Sequence, residues 1–132
     1  MADHDCNVLG IDISKQMIKL ARKYTTQASF KVANLIELQE HNTFDGIRCC
    51  RVFHHIPLHL QDKFLEKIAS LIKKDGVFYL TAVVSDIDKD YEAYDSGNER
   101  LLKKRLSKKS FESLVTKHNF EILQHNYRPG KQ

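Results

Sequence analysis

The chain has 132 residues, 42% of them apolar and 29% charged, a balance that fits a globular domain and excludes an intrinsically disordered segment. No apolar run approaches the roughly 20 residues a membrane-spanning helix needs, and residues 1–7 are polar and acidic, unlike a secretory signal. Net charge is +4, and the three cysteines, Cys6, Cys49 and Cys50, are odd in number without framework spacing, so a reducing, cytoplasmic setting is expected.

Strand-like and helix-like segments alternate along the chain, which predicts βα units and a mostly parallel sheet in a single domain over residues 1–132. Residues 8–13 (VLGIDI) form a short, β-branched apolar run and read as a buried strand. Ser14 stands where an N-cap belongs, and Met17, Leu20, Ala21 and Tyr24 follow at helical spacing, predicting a helix over 15–24. Residues 29–32 read as a second strand and 44–50 (FDGIRCC) as a third. Pro57 argues against a helix through 54–57 and can open the next one; Phe64, Leu65, Ile68, Leu71 and Ile72 mark that helix over about 58–73. Asp75-Gly76 is expected to end it with Gly76 left-handed, before a strand at 77–84 (VFYLTAVV).

Residues 85–106 are acidic, then basic, and read as an irregular cap or lid. The run at 100–109 (RLLKKRLSKK) carries six basic residues and no acid; with no interleaved aromatic platform it reads as a solvated face rather than a nucleic-acid surface. Ser107 or Ser110 is expected to cap a last helix bearing Phe111, Leu114, Val115 and His118, and residues 120–127 alternate like a final strand.

Asp12 closes the first strand, at the strand end where open parallel sheets bind ligands, and a carboxylate there can accept both hydrogen bonds of a ribose diol. An acid before Ser14 also favours a helix N-terminus, so this position alone does not choose. Cys49-Cys50 with His54, His55 and His59 invites a metal reading, but adjacent strand cysteines point to opposite faces, so no metal site is expected. His55 or His54 is a candidate general base, set against a purely structural loop histidine.

The stretch from Val8 to Met17 (VLGIDISKQM), followed by Leu20-Ala21-Arg22, resembles the second strand and following helix of class I S-adenosylmethionine-dependent methyltransferases. Phe44-Asp45-Gly46-Ile47 with Val52-Phe53-His54-His55-Ile56 is similar to that family's fourth strand and the loop after it. The run from Leu71 to Phe78 (LIKKDGVF) looks like its helix end and fifth strand, and Phe120-Glu121-Ile122 like the start of its sixth. The resemblance implies an α/β, Rossmann-like methyltransferase sheet. It implies that Asp12 binds the ribose of S-adenosylmethionine, that Ile13 and Met17 pack on the adenine, and that Leu35 covers the ring. Asn34 would meet the adenine amino group where the family usually has an acid, and Arg51 and Val52 would lie near the methionine part. Tyr91 and Tyr94 in the cap would help cover a small-molecule acceptor.

Two features of that family have no counterpart in the pattern. The first strand with its Gly-x-Gly-x-Gly loop is expected before Val8, yet the five glycines, at 10, 46, 76, 97 and 130, are unclustered. Nothing strand-like follows Tyr127 to serve as the seventh strand. The expectation is a sheet truncated at the N-terminus and at the C-terminus, both missing strands being interior in the family's order. Three outcomes follow: closure by direct pairing of the second and fourth strands, donation of the missing strands by a second chain, or a fragment that folds poorly alone; unpaired edges favour self-association, as a homo-oligomer or a strand-exchanged dimer. Three functions follow: methyl transfer to a small molecule, a non-catalytic scaffold serving as an interaction module, and a nicotinamide-binding Rossmann domain, which also uses a ribose-binding acid. A nucleic-acid methyltransferase is disfavoured because Arg51-Val52-Phe53-His54 stands where its Asn/Asp-Pro-Pro-Tyr/Phe loop would be.

Overall fold

The computed structural model describes residues 5–94 and 97–129; expectations placed on 1–4, 95–96 and 130–132 lie outside the described residues. The chain divides into two units, Met1–Glu40 and His41–Gln132. Among the described residues, their strands form three separate two-stranded sheets, two parallel and one antiparallel.

The first unit is a βαβ element: β1 (Leu9–Asp12), α1 (Lys15–Tyr24) and β2 (Ser29–Val32). The strands are parallel, with Leu9 opposite Ser29 and Asp12 opposite Val32. Gly10 faces Phe30 across this ladder, and a Cβ there would fall 2.7 Å from the Phe30 ring, so the pair packs only because position 10 carries no side chain. Helix α1 starts where expected because the Ser14 hydroxyl accepts from the Met17 N–H at 3.3 Å. Arg22 ties the far end of α1 to β2 through the Phe30 carbonyl at 2.9 Å. Ile18 and Leu38 are the buried apolar side chains of this unit.

The second unit starts with β3 (Phe44–Cys50), a 3-10 turn at Phe53–His55, α2 (Leu58–Leu71) and β4 (Ile72–Thr81). β3 and β4 are parallel from Gly46 opposite Val77 to Cys50 opposite Thr81. Phe53, Phe64, Leu65, Ile68 and Leu71 are buried, and the Phe53 ring meets Phe64 and Phe111 edge-on at 5.9 and 5.6 Å. The chain then forms β5 (Lys89–Tyr94), β6 (Arg100–Arg105) and α3 (Lys108–Lys117).

Several expectations are corrected. Helix α2 stops at Leu71 and β4 follows directly, with a register irregularity that sets residues 73–76 out of the ladder. Asp75, not Gly76, takes the left-handed conformation (φ 65°), as an aspartate tolerates. Position 76 needs glycine for another reason: a Cβ would come 2.5 Å from Ile72 Cγ1 and 2.9 Å from the Lys73 carbonyl. The described residues of 85–106 are not irregular. They hold an antiparallel hairpin, Lys89 opposite Arg105 and Tyr94 opposite Arg100. Its charges concealed it from a hydrophobic pattern, but acid and base meet across the strands, with Asp90 opposite Lys104 and Glu92 paired with Arg100. Residues 120–127 form no strand. Alternation sets which side each residue faces but supplies no ladder partner; Phe120 packs on Phe78 at 5.3 Å, and Tyr127 and His125 bond the Glu112 carboxylate instead.

Candidate functional site

The parallel register places the C-terminal ends of β1 and β2 at one edge of the first sheet, with the Ala33 N–H donating to the Asp12 carbonyl at 3.0 Å. Asp12, Ile13 and Met17 therefore share that edge with Asn34 and Leu35. Asp12 Oδ1 accepts from the Ser14 N–H at 2.8 Å, which fixes the carboxylate while its second oxygen keeps acceptor capacity for a diol. Beside it Ile13 is 76% exposed and Met17 53% exposed, an apolar surface at the strand end. Asn34 Oδ1 accepts from the Ile36 N–H at 3.2 Å and so caps the 3-10 turn Leu35–Glu37, which leaves the amide with one lone-pair direction outward. Leu35 is half-buried. A ribose diol and the amino group of a flat base suit these acceptors, and the face of the base suits the apolar surface beside them.

In the second unit the end of β3 carries Arg51, whose left-handed backbone (φ 60°) is uncommon for a residue other than glycine, asparagine or aspartate. Its N–H donates to the Thr81 hydroxyl at 2.9 Å, so the turn is held to the end of β4. Val52 is half-exposed and precedes the turn that carries both histidines. The His54 and His55 rings lie 4.1 Å apart, centroid to centroid. Burial first, then the charges of His55, Arg105, Arg51 and Lys103, push the His54 imidazole below its usual range, so it is neutral at neutral pH. His55 is exposed.

His54 lines a cavity together with Tyr91, so the structure brings these two expected residues together. Tyr94, at the far end of β5, is 67% exposed and does not line it. Gln61 and Arg105 also line it, and both escaped sequence reading. The signal for Gln61 was a polar residue on the apolar stripe Gln61, Phe64, Leu65, Ile68 and Leu71, all of them buried. The Arg105 guanidinium lies 5.1 Å over the Tyr91 ring, a cross-strand contact that only the hairpin register reveals. Cys49 is buried and burial raises its thiol, while Cys50 accepts from Arg48 Nε on the opposite strand face at 3.1 Å.

A family model described as a methyltransferase domain matches residues 1–78, and the chain belongs to this methyltransferase-domain family. Among curated proteins, the uncharacterized protein RP028 of Rickettsia prowazekii (strain Madrid E) is 29% identical over 79 residues, 55% of this chain and 32% of that protein. The structure of 1,6-didemethyltoxoflavin-N1-methyltransferase from Burkholderia thailandensis, with bound 1,6-didemethyltoxoflavin and S-adenosylhomocysteine, superposes with a TM-score of 0.70 at 19% identity, covering 88% of this chain and 51% of that one. Magnesium protoporphyrin IX methyltransferase from Synechocystis PCC 6803, with bound S-adenosylmethionine, gives 0.61 at 18% identity over 93% of this chain and 53% of that one. The chain thus spans about a third of the curated relative and about half of each of these enzymes. Its fold is the α/β, Rossmann-like fold of these methyltransferases. No helix among the described residues is long and apolar enough to cross a membrane.

Proposed function

We propose that this chain is the S-adenosylmethionine-binding and acceptor-facing part of a methyltransferase that acts on a small molecule. The observation that carries the reading is the shared edge of Asp12 and Asn34, with Ile13 and Met17 exposed beside the carboxylate. S-adenosylmethionine supplies an electrophilic sulfonium methyl group. Asp12, oriented by Ser14, holds the ribose diol; Ile13, Met17 and Leu35 pack on the adenine; Asn34 meets its amino group. Arg51 and Val52, at the end of β3, serve the amino-acid portion. His54, held neutral, is the candidate proton acceptor for the methyl acceptor, with His55 as its exposed neighbour and Tyr91 and Tyr94 on the hairpin that faces it. Alignment supplies most of the rate in such a displacement, so the base adds to it rather than driving it. Three cysteines without framework spacing support a cytoplasmic setting.

Calorimetry of the whole chain with S-adenosylhomocysteine tests the reading. Binding is expected, and Asp12→Ala should weaken it by at least about tenfold through loss of charge-assisted hydrogen bonds; no binding by the native chain overturns it. A second reading, a scaffold that associates through its sheets, is supported by Val77 and Tyr79 on β4, 58% and 55% exposed. Light scattering that finds a monomer which also binds S-adenosylhomocysteine counts against it.

A further inference from the structure

The hairpin of β5 and β6 sorts its charges by side. Successive strand residues point to opposite faces, so Lys89 and Tyr91 share one face with their register partners Arg105 and Lys103. Asp90 and Glu92 share the other face with Lys104 and Arg100. On that second face each acid has a base: Glu92 pairs with Arg100, and Asp90 lies opposite Lys104. The first face holds Lys89, Lys103 and Arg105 and no acid. Among the described residues, none of these cations has a carboxylate within ion-pair distance. Tyr91, Ala93 and Lys103 are half-buried while Asp90, Glu92 and Lys104 are exposed, so the face without acids is the one turned to the fold. Arg105 stands 5.1 Å over the Tyr91 ring, a contact that steadies the guanidinium without a carboxylate. Both residues adjoin the His54 turn, since all three border one cavity of about 10 Å³, room for at most a single water. Burial and the His55 ring lead in holding His54 below its usual range; Arg105, Arg51 and Lys103 add to it, and no carboxylate acts against them. Cations gathered without acids repel one another and attract an anion.

We propose that Lys103 and Arg105, on the inner face of the hairpin, anchor a carboxylate or phosphate group carried by the methyl acceptor. The assignment rests on the acceptor-facing reading above and narrows it to acceptors that bear an acidic group. The anion sits outside the small cavity, on the exposed Arg105 and the half-buried Lys103, with Lys89 adding charge opposite Arg105. Guanidinium and ammonium groups both donate to anionic oxygens in charge-assisted hydrogen bonds, and the same charges oppose an ammonium on the acceptor. Held there, the anion brings the remainder of the acceptor to the His54 turn.

Benzoate and phenyl phosphate are the probes, titrated at low salt into the isotope-labelled whole chain and read by the Tyr91, Lys103 and Arg105 amide resonances. At least one is expected to shift them saturably, and the tighter of the two names the group. Benzamide and benzylammonium are expected to bind at least fivefold more weakly. Lys103→Gln and Arg105→Gln are each expected to weaken the anion at least fivefold, whereas Lys109→Gln, which removes the same charge from α3, changes it less than twofold. Saturating S-adenosylhomocysteine is expected to leave the anion's affinity within twofold. No saturable shift with either anion, or benzamide or benzylammonium binding as tightly, overturns the assignment. So does unchanged affinity in folded Lys103→Gln and Arg105→Gln, or an equal loss in Lys109→Gln. Displacement of the anion by S-adenosylhomocysteine overturns it by placing the anion in the cofactor's own site, and tighter binding of a short thymidine oligomer overturns it in favour of a nucleic-acid surface. If Arg105→Gln loses the hairpin, Lys103→Gln and the probe series decide. Calorimetry with S-adenosylhomocysteine separates the two readings: anion binding without it sinks the cofactor reading only, and the reverse sinks the anchor only.

Discussion

Asp62 gathers two partners on one oxygen: Oδ1 lies 3.0 Å from Lys117 Nζ and 2.8 Å from His118 Nε2, so α2 is fastened to the end of α3. Those two hydrogen bonds hold the carboxyl below the usual aspartate range. A depressed carboxylate stabilises the fold above its unfolded pKa and loses that contribution as pH falls through the folded one. Asp62→Asn is expected to cost about 0.5 kcal/mol at neutral pH, given its exposure. Its melting temperature should converge on that of the native chain in acid below about pH 4, where the unfolded carboxyl titrates. Gly76 makes a stronger claim. An alanine there presses on Ile72 and the Lys73 carbonyl, and Gly76→Ala is expected to destabilise the chain by about 1–3 kcal/mol in denaturant unfolding. The residue was legible in the sequence as a necessary glycine, but for the wrong reason. Asp-Gly suggests a left-handed glycine, whereas Asp75 takes that conformation and crowding fixes Gly76. Asp12 was legible because strand end, acid and N-cap follow one another in three residues. Gln61 was not, because its burial and its bond to the Ile56 carbonyl exist only once α2 packs.

At the scale of elements, those that carry their own boundary chemistry were readable. Helix α1 has Ser14 at one end and appears over the expected 15–24; β2 and β3 appear over the expected 29–32 and 44–50. Elements defined by pairing were not. The hairpin of β5 and β6 is held by cross-strand charge and a cation over an aromatic ring, which leave no apolar period; residues 120–127 show the period and lack the ladder. The hairpin's base is closed by side chains as well. Asp88 Oδ1 accepts from the Ser107 N–H at 2.7 Å and Oδ2 from the Ser110 hydroxyl at 3.0 Å, while Ser107 caps α3. Asp88→Ala is expected to speed exchange of the Ser107 amide by about tenfold while leaving amides in the centre of α2 as protected as before, because local opening need not involve the core.

Across the whole molecule, the methyltransferase-domain match over residues 1–78 contains all of the first unit's proposed cofactor residues and the His54-His55 turn. The hairpin and α3 lie beyond it. The parallel pairing of β1 with β2 and of β3 with β4, and the helices between, were therefore predictable from a pattern shared by many relatives, whereas the hairpin was not. The same division follows from the physics. A cofactor common to a family imposes common residues, while each acceptor asks for its own pocket.

The two ends of the hairpin segment meet. The Ser85 N–H donates to the Leu106 carbonyl at 3.0 Å, and the Lys108 N–H donates to the Ser85 carbonyl at 3.2 Å. A stretch that leaves and re-enters the fold at one point behaves as a cassette: its loss costs the host little loop-closure entropy. Replacing residues 89–105 by a short Gly-Ser linker is thus expected to shift the melting temperature by less than about 4–8 °C, the effect of ~1 kcal/mol in a domain of this class. Acceptor preference would then be a property that can be swapped between relatives without rebuilding the sheet beneath it.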